Sequence, residues 1–226
     1  MSPAPPLVKI CGLTSQAALD AALAAGAEMV GFVFFPRSPR HVSLEAAAML
    51  GRRAAGRALR VALTVDADDR ALADIVAALD PDLMQLHGGE TPARCAAIGA
   101  RFGRPVMKAL GVATAADLSA VPAYAAVCER LLFDAKPPPG AALPGGNGLP
   151  FDWRLLAGFD PGRPWLLSGG LTPENVGEAI RLTGAPGVDV SSGVETAPGV
   201  KDAGLIAGFV RAARGAAMLD AAAVPP

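Results

Sequence analysis

The sequence predicts an α/β chain folded as a single-domain (β/α)8 TIM barrel. Short, near-continuous apolar runs alternate with longer Ala/Leu-rich segments, as expected for parallel strands buried on both faces and joined by helices. Eight such runs end near residues 11, 34, 65, 87, 109, 134, 168 and 190, at intervals of roughly 22 to 34 residues, the size of one βα unit. At 226 residues the chain has the length at which such barrels close as one domain, residues 1–226. An open doubly wound sheet is the competing architecture.

The strands are expected at Leu7–Cys11, Met29–Phe34, Leu59–Val65, Leu83–His87, Val106–Ala109, Leu131–Asp134, Trp165–Ser168 and Val188–Val190. Helices follow at Ser15–Ala25, Ser43–Ala55, Asp69–Leu79, Thr91–Phe102, Thr114–Ala120, Asp152–Leu156, Pro173–Leu182 and Asp202–Ala213. Many of these begin on Ser, Thr or Asp, whose side chains can accept the first free N–H groups of a helix. Pro173 after Thr172 suits a first helical position, where no N–H is needed. The Pro/Gly segment Pro137–Pro150 is the longest structureless stretch and is expected to be functional or disordered. The tail, residues 215–226, is Ala/Pro-rich and expected to fray.

Composition narrows the classes of function. Net charge is −1 with no basic cluster, so nucleic-acid and membrane-surface binding are not expected. No apolar run reaches a spanning length, and the N-terminus lacks the charged and apolar regions of a signal peptide. Cys11, Cys95 and Cys128 are too irregularly spaced for a disulfide framework or a zinc site. A soluble, reduced, cytoplasmic protein is the expectation.

In a barrel, residues at the carboxyl ends of the strands share one face. Those positions hold Cys11, Arg40, Asp66, His87, Asp134, Ser168-Gly169-Gly170 and Asp189 with Ser191-Ser192-Gly193. Gly169, Gly170, Ser192 and Gly193 follow strands seven and eight, where glycine lets backbone N–H groups approach a phosphate. They can equally be simple turns. Asp134 ends an apolar strand, and poor solvation favours a protonated carboxyl, the form a general acid needs. A helix cap or an ion pair with Lys136 is its alternative. Cys11 is a base, a nucleophile or filler; Lys9, two residues earlier, points to the same side and is placed to hold a thiolate. His87 either meets substrate or hydrogen-bonds locally, and no second ligand makes it a metal site. Arg40 suits a carboxylate, with Arg37 as rival.

The motifs VKICGLT, GFVFFPRSPRHV, QLHG, LLFDAKPP, PGGNGLPFDW, LSGGLTPENV and VDVSSGVE together resemble the phosphoribosylanthranilate isomerase family of tryptophan biosynthesis, over Val8 to Glu195. The resemblance implies an Amadori rearrangement of N-(5'-phosphoribosyl)anthranilate to 1-(2-carboxyphenylamino)-1-deoxyribulose 5-phosphate. It implies Cys11 as general base, Asp134 as general acid and Arg40 as the grip on the anthranilate carboxylate. It places the phosphate at Gly169, Gly170, Ser192 and Gly193, with Asp189 touching substrate and His87 close by. No metal or organic cofactor is implied, the partner is a small phosphorylated aminosugar, and the chain is a monomer or a homodimer. Rival readings are a ribulose-phosphate epimerase, an indoleglycerol-phosphate synthase or Schiff-base aldolase using Lys108, and a catalytically silent phosphate-sugar binder.

Overall fold

The computed structural model describes residues 5–137, Gly145 and residues 151–222, with side chains to residue 216. Eight parallel strands close into a barrel in sequence order. They are β1 Leu7–Cys11, β2 Met29–Phe34, β3 Leu59–Thr64, β4 Leu83–Leu86, β5 Val106–Val112, β6 Arg130–Ala135, β7 Trp165–Leu167 and β8 Gly187–Val190. The barrel shuts where β8 pairs with β1, with Lys9 opposite Asp189. Every expected strand is present, within a few residues at each end.

Helices α1 Gln16–Ala25, α2 Leu44–Ala54, α3 Asp69–Leu79 and α4 Pro92–Phe102 follow the first four strands. Ser15, Ser43 and Thr91 each accept an N–H from the first turn, as expected of the residues that open those helices, while α3 is capped by Asp68, one residue before the expected start at Asp69. The second half of the barrel is less regular. After β5 comes a 3-10 helix, Ala115–Ala120, continued by the short α5 Val121–Ala125. After β6 the only described helix is a 3-10 turn, Trp153–Leu156.

Helix α6 runs Val176–Thr183 and starts later than Pro173. Asn175 explains the delay: its Oδ1 accepts from Thr172 N–H (2.8 Å) and its Nδ2 donates to the Gly170 carbonyl (2.9 Å), which ties residues 172–175 into a turn. Between β8 and α7 lie a 3-10 turn, Ser192–Val194, and an unexpected hairpin of β9 Glu195–Ala197 and β10 Val200–Lys201. Helix α7 runs Ala203–Ala222, into the segment expected to fray from residue 215. Most of the expected loop at 137–150 lies outside the described residues, as does the end of the tail.

Strand alternation sorts the side chains. Met29, Val61, Leu83, Met107, Ala109, Leu132 and Leu166 fill the lower barrel interior. The opposite strand faces pack, with Phe32, Phe133 and Val188 among them, against the helices. Above the apolar plug the interior turns polar, with Lys9, Gln85 and Asp189 all buried. Cys11, Val33 and Leu63 form a small apolar layer on top of it.

Candidate active site

Cys11 is the last residue of β1, and parity turns its thiol into the upper barrel. It stands opposite Gly31 of β2. A Cβ on Gly31 would lie 2.9 Å from Cys11 Sγ and 3.2 Å from Lys9 Nζ, so the missing side chain makes room for both groups. Lys9 Nζ donates to Asp189 Oδ1 at 2.7 Å, with the lysine side chain fully buried. Burial holds the Cys11 thiol above its ordinary value; the Lys9 ammonium draws it down, and the Asp189 charge adds to the rise. Burial also opposes the Lys9 charge, but Asp189 and Cys11 together hold its pKa above the ordinary value. The Lys9 ammonium is thus the neighbour that favours the thiolate against burial.

Asp134, near the end of β6, does not pair with Lys136, which turns outward to Asp117 at 2.6 Å. Its Oδ1 accepts from the Ala135 N–H (2.9 Å), and its Oδ2 faces His87 Nε2 at 3.2 Å. His87 Nδ1 in turn meets the Gln85 amide at 3.1 Å. A Cβ at Gly145 would lie 2.6 Å from both Asp134 Oδ2 and His87 Nε2, so the backbone there lies against this pair.

Of the two rival arginines, Arg37 is exposed and Arg40 is buried. Glu195 takes Arg40 Nε and Nη2 at 2.8 Å each, leaving Nη1 without a protein partner among the described residues. Lys201 reaches the same carboxylate at 2.7 Å and also donates to the Ser191 carbonyl at 2.9 Å. Burial pushes Glu195 up, but Arg40 and Lys201 outweigh it and keep the carboxyl below its usual range. Gly12, at φ +76°, has no room for a Cβ, which would lie 2.7 Å from Arg40 Cδ. The glycine after Cys11 therefore admits the arginine side chain.

Gly169 and Gly170 follow β7 with φ of 88° and 65°, and Ser192 and Gly193 open the 3-10 turn after β8. A Cβ on Gly193 would overlap the Leu171 carbonyl oxygen, so glycine is required for the two loops to meet. Their N–H groups donate to no backbone acceptor among the described residues, which leaves them available to an anion.

Asp189 is buried on β8 beside Lys9. It lies one layer below Cys11, engaged by Lys9 and, at 3.4 Å, by Ser168 Oγ. Lys108 points away from the barrel interior, because Met107 and Ala109 on either side of it point in. Its ammonium is held by Glu90 (2.8 Å) and by the carbonyls of Leu86 and Gly88, which gives a Schiff base no access to the cleft. Cys95 and Cys128 are buried free thiols outside the strand ends. Among the described residues no three His, Cys, Asp or Glu side chains are grouped to hold a metal ion, and no helix is long and apolar enough to cross a membrane.

The family model described as N-(5'phosphoribosyl)anthranilate (PRA) isomerase matches residues 8–212, from β1 into α7. The chain belongs to the phosphoribosylanthranilate isomerase family. Relatives of that name in Nitrobacter hamburgensis and Azorhizobium caulinodans are 62% and 64% identical, covering 93% and 92% of this chain and the same shares of their own. The phosphoribosyl anthranilate isomerase of Thermotoga maritima has a similar structure, with TM-score 0.84 and 36% identity over 93% of this chain and 99% of that one. A further isomerase structure, in complex with reduced 1-(o-carboxyphenylamino)-1-deoxyribulose 5-phosphate, aligns with TM-score 0.81 and 34% identity, covering 93% of this chain and 99% of that one. Another Thermotoga maritima structure describes monomers generated from a dimeric isomerase.

Glu195, Lys201 and Gln85 contact the candidate site residues, and motif reading passed over them. Glu195 ends the motif VDVSSGVE, and the Pro-Gly turn after it signals the hairpin that brings Lys201 back to its carboxylate. Gln85 stands two residues before His87 on the same strand face, a parity that sequence alone provides.

Proposed function

We propose that the face formed by Cys11, Arg40, His87, Asp134 and the loops after β7 and β8 rearranges N-(5'-phosphoribosyl)anthranilate to its aminoketose, with Cys11 as base and Asp134 as acid. The carrying observation is that Cys11 and Asp134 both end inward-facing strand positions, each with a polar partner: Lys9 beside the thiol, His87 beside the carboxyl. No cofactor is required, since the substrate supplies its own electron sink.

Asp134 gives its proton to the ring oxygen, the bond from that oxygen to sugar carbon 1 breaks, and the nitrogen lone pair forms an iminium. The iminium acidifies carbon 2, and the Cys11 thiolate takes that proton. The electron pair left behind forms the carbon 1–carbon 2 double bond of an enaminol and neutralises the nitrogen. The enaminol becomes the ketone by gaining a proton at carbon 1 and losing one from its hydroxyl. Lys9 stabilises the thiolate, and Asp189 acts through Lys9. Arg40 offers its Nη1 side to the anthranilate carboxylate while Glu195 holds the opposite edge. The N–H groups of Gly169, Gly170, Ser192 and Gly193 receive the phosphate at the place this fold commonly provides.

Substrate generated in situ and followed by loss of its fluorescence, with EDTA present, tests the reaction. The wild type should turn over, while Cys11→Ala and Asp134→Asn should each lose about 10²-fold or more, the contribution of a positioned acid or base. A wild type that binds the reduced product analogue without turnover would establish a silent binder instead.

A further inference from the structure

Gln85 is fully buried in the barrel interior, yet its Oε1 has no hydrogen-bond partner among the described residues. A buried amide carbonyl without a partner is costly. Its other end is engaged, with Nε2 3.1 Å from His87 Nδ1. The opposite nitrogen of that imidazole, Nε2, lies 3.2 Å from Asp134 Oδ2. Three side chains from two strands therefore form one line, and the direction of donation along it must be consistent.

We propose that Gln85 is a positioning residue which, through the tautomer of His87, keeps the transferable proton of Asp134 out of a bond to the imidazole. The amide N–H donates to Nδ1, which leaves that nitrogen bare and places the imidazole proton on Nε2. Nε2–H then donates to Oδ2 whether Asp134 is protonated or ionised. With Nε2–H donating to Oδ2, the imidazole offers no acceptor to the carboxyl proton, which is left free for the sugar; Oδ1 is the oxygen nearer the ligand side. That oxygen accepts the Ala135 N–H and lies on the Gly169 side, 3.2 Å from where a Cβ on Gly169 would stand. Turning the amide over would put Nδ1–H on Oε1 and aim a bare Nε2 at Oδ2. This would draw the acid's proton into the His87 bond, away from the sugar. The unpartnered Oε1 is the consequence of choosing the first arrangement.

This role rests on the reading of Asp134 as the acid, and the test separates the two. The chain has two histidines, so protein labelled with [15N]histidine shows only His41 and His87. Wild-type His87 should carry its proton on Nε2. In Gln85→Leu the two tautomers should mix, with kcat falling about tenfold and KM little changed, as for an interaction worth about 1.4 kcal/mol in the transition state alone. In Gln85→Glu, close in shape if the leucine variant fails to fold, the added carboxylate can only accept, and His87 should move its proton to Nδ1 or hold two. Wild-type His87 protonated on Nδ1 alone, or Gln85 variants with unchanged tautomer and kcat, would overturn the proposal. A wild type with Nε2–H in place but no turnover would instead overturn the acid reading, and the role of Gln85 with it.

Discussion

Lys9→Met removes the charge beside Cys11 while keeping a stem of similar length. Cys11 Sγ and Lys9 Nζ lie 2.9 and 3.2 Å from the point where a Gly31 Cβ would stand, so they are at most about 6 Å apart. At that separation and an effective dielectric of about 20, opposite unit charges attract by roughly 3 kcal/mol. That energy corresponds to about a 100-fold change in the share of thiolate, and hence in the rate of any step that consumes it. Burial, which already opposes ionisation of Cys11, would then act without its main counterweight. The fluorescence assay should therefore show kcat/KM down by about 10²-fold. Asp189 would be left as an unpaired buried carboxylate, so Lys9→Met should also lower the denaturation midpoint. Lys9→Met with Asp189→Asn should recover stability without recovering activity. Activity of Lys9→Met within about threefold of wild type would refute thiolate stabilisation by Lys9.

Gly31→Ala should destabilise the protein by about 1–3 kcal/mol and reduce kcat, because the new methyl occupies the space between Cys11 Sγ and Lys9 Nζ; denaturant melts and turnover read both. Arg40→Lys cannot hold Glu195 with two parallel N–H bonds, and it should raise KM more than it lowers kcat. Acid stability should depend on Glu90. Burial pushes its carboxyl up, but Lys108 and the Asp66 N–H hold it below its ordinary value. Its contribution is thus complete above the unfolded value of about 4.3 and is lost as pH falls through the lower folded value. Glu90→Gln should cost about 3 kcal/mol near neutral pH, by leaving the Lys108 ammonium unpaired, and should flatten the fall in denaturation midpoint below about pH 4.

The strands were legible because buried parallel strands are written as apolar runs, and Ser15, Ser43 and Thr91 announced three helix starts. The candidate site was legible where chemistry sits at a strand end, as with Cys11 and Asp134. Pairings were not, because they join residues far apart in the chain. Glu195 meets Arg40 across 155 positions and Asp189 meets Lys9 across 180, and no local pattern encodes either. Asp189 illustrates the limit. The family resemblance implies that it touches substrate, and nothing in its own segment announces that it is also the partner of a buried lysine. The late start of α6 escaped for a similar reason: Pro173 fits a helix start by propensity, but the side chain of Asn175 ties the preceding turn.

A crystal structure of this protein with reduced 1-(o-carboxyphenylamino)-1-deoxyribulose 5-phosphate would place the reacting atoms. The reaction scheme requires sugar carbon 2 within about 3.5 Å of Cys11 Sγ, the oxygen at carbon 4 beside Asp134, and the phosphate on the N–H groups of Gly170 and Gly193. A ligand bound with its anthranilate ring over Cys11, or its phosphate away from the loops after β7 and β8, would contradict the assignment of base and acid.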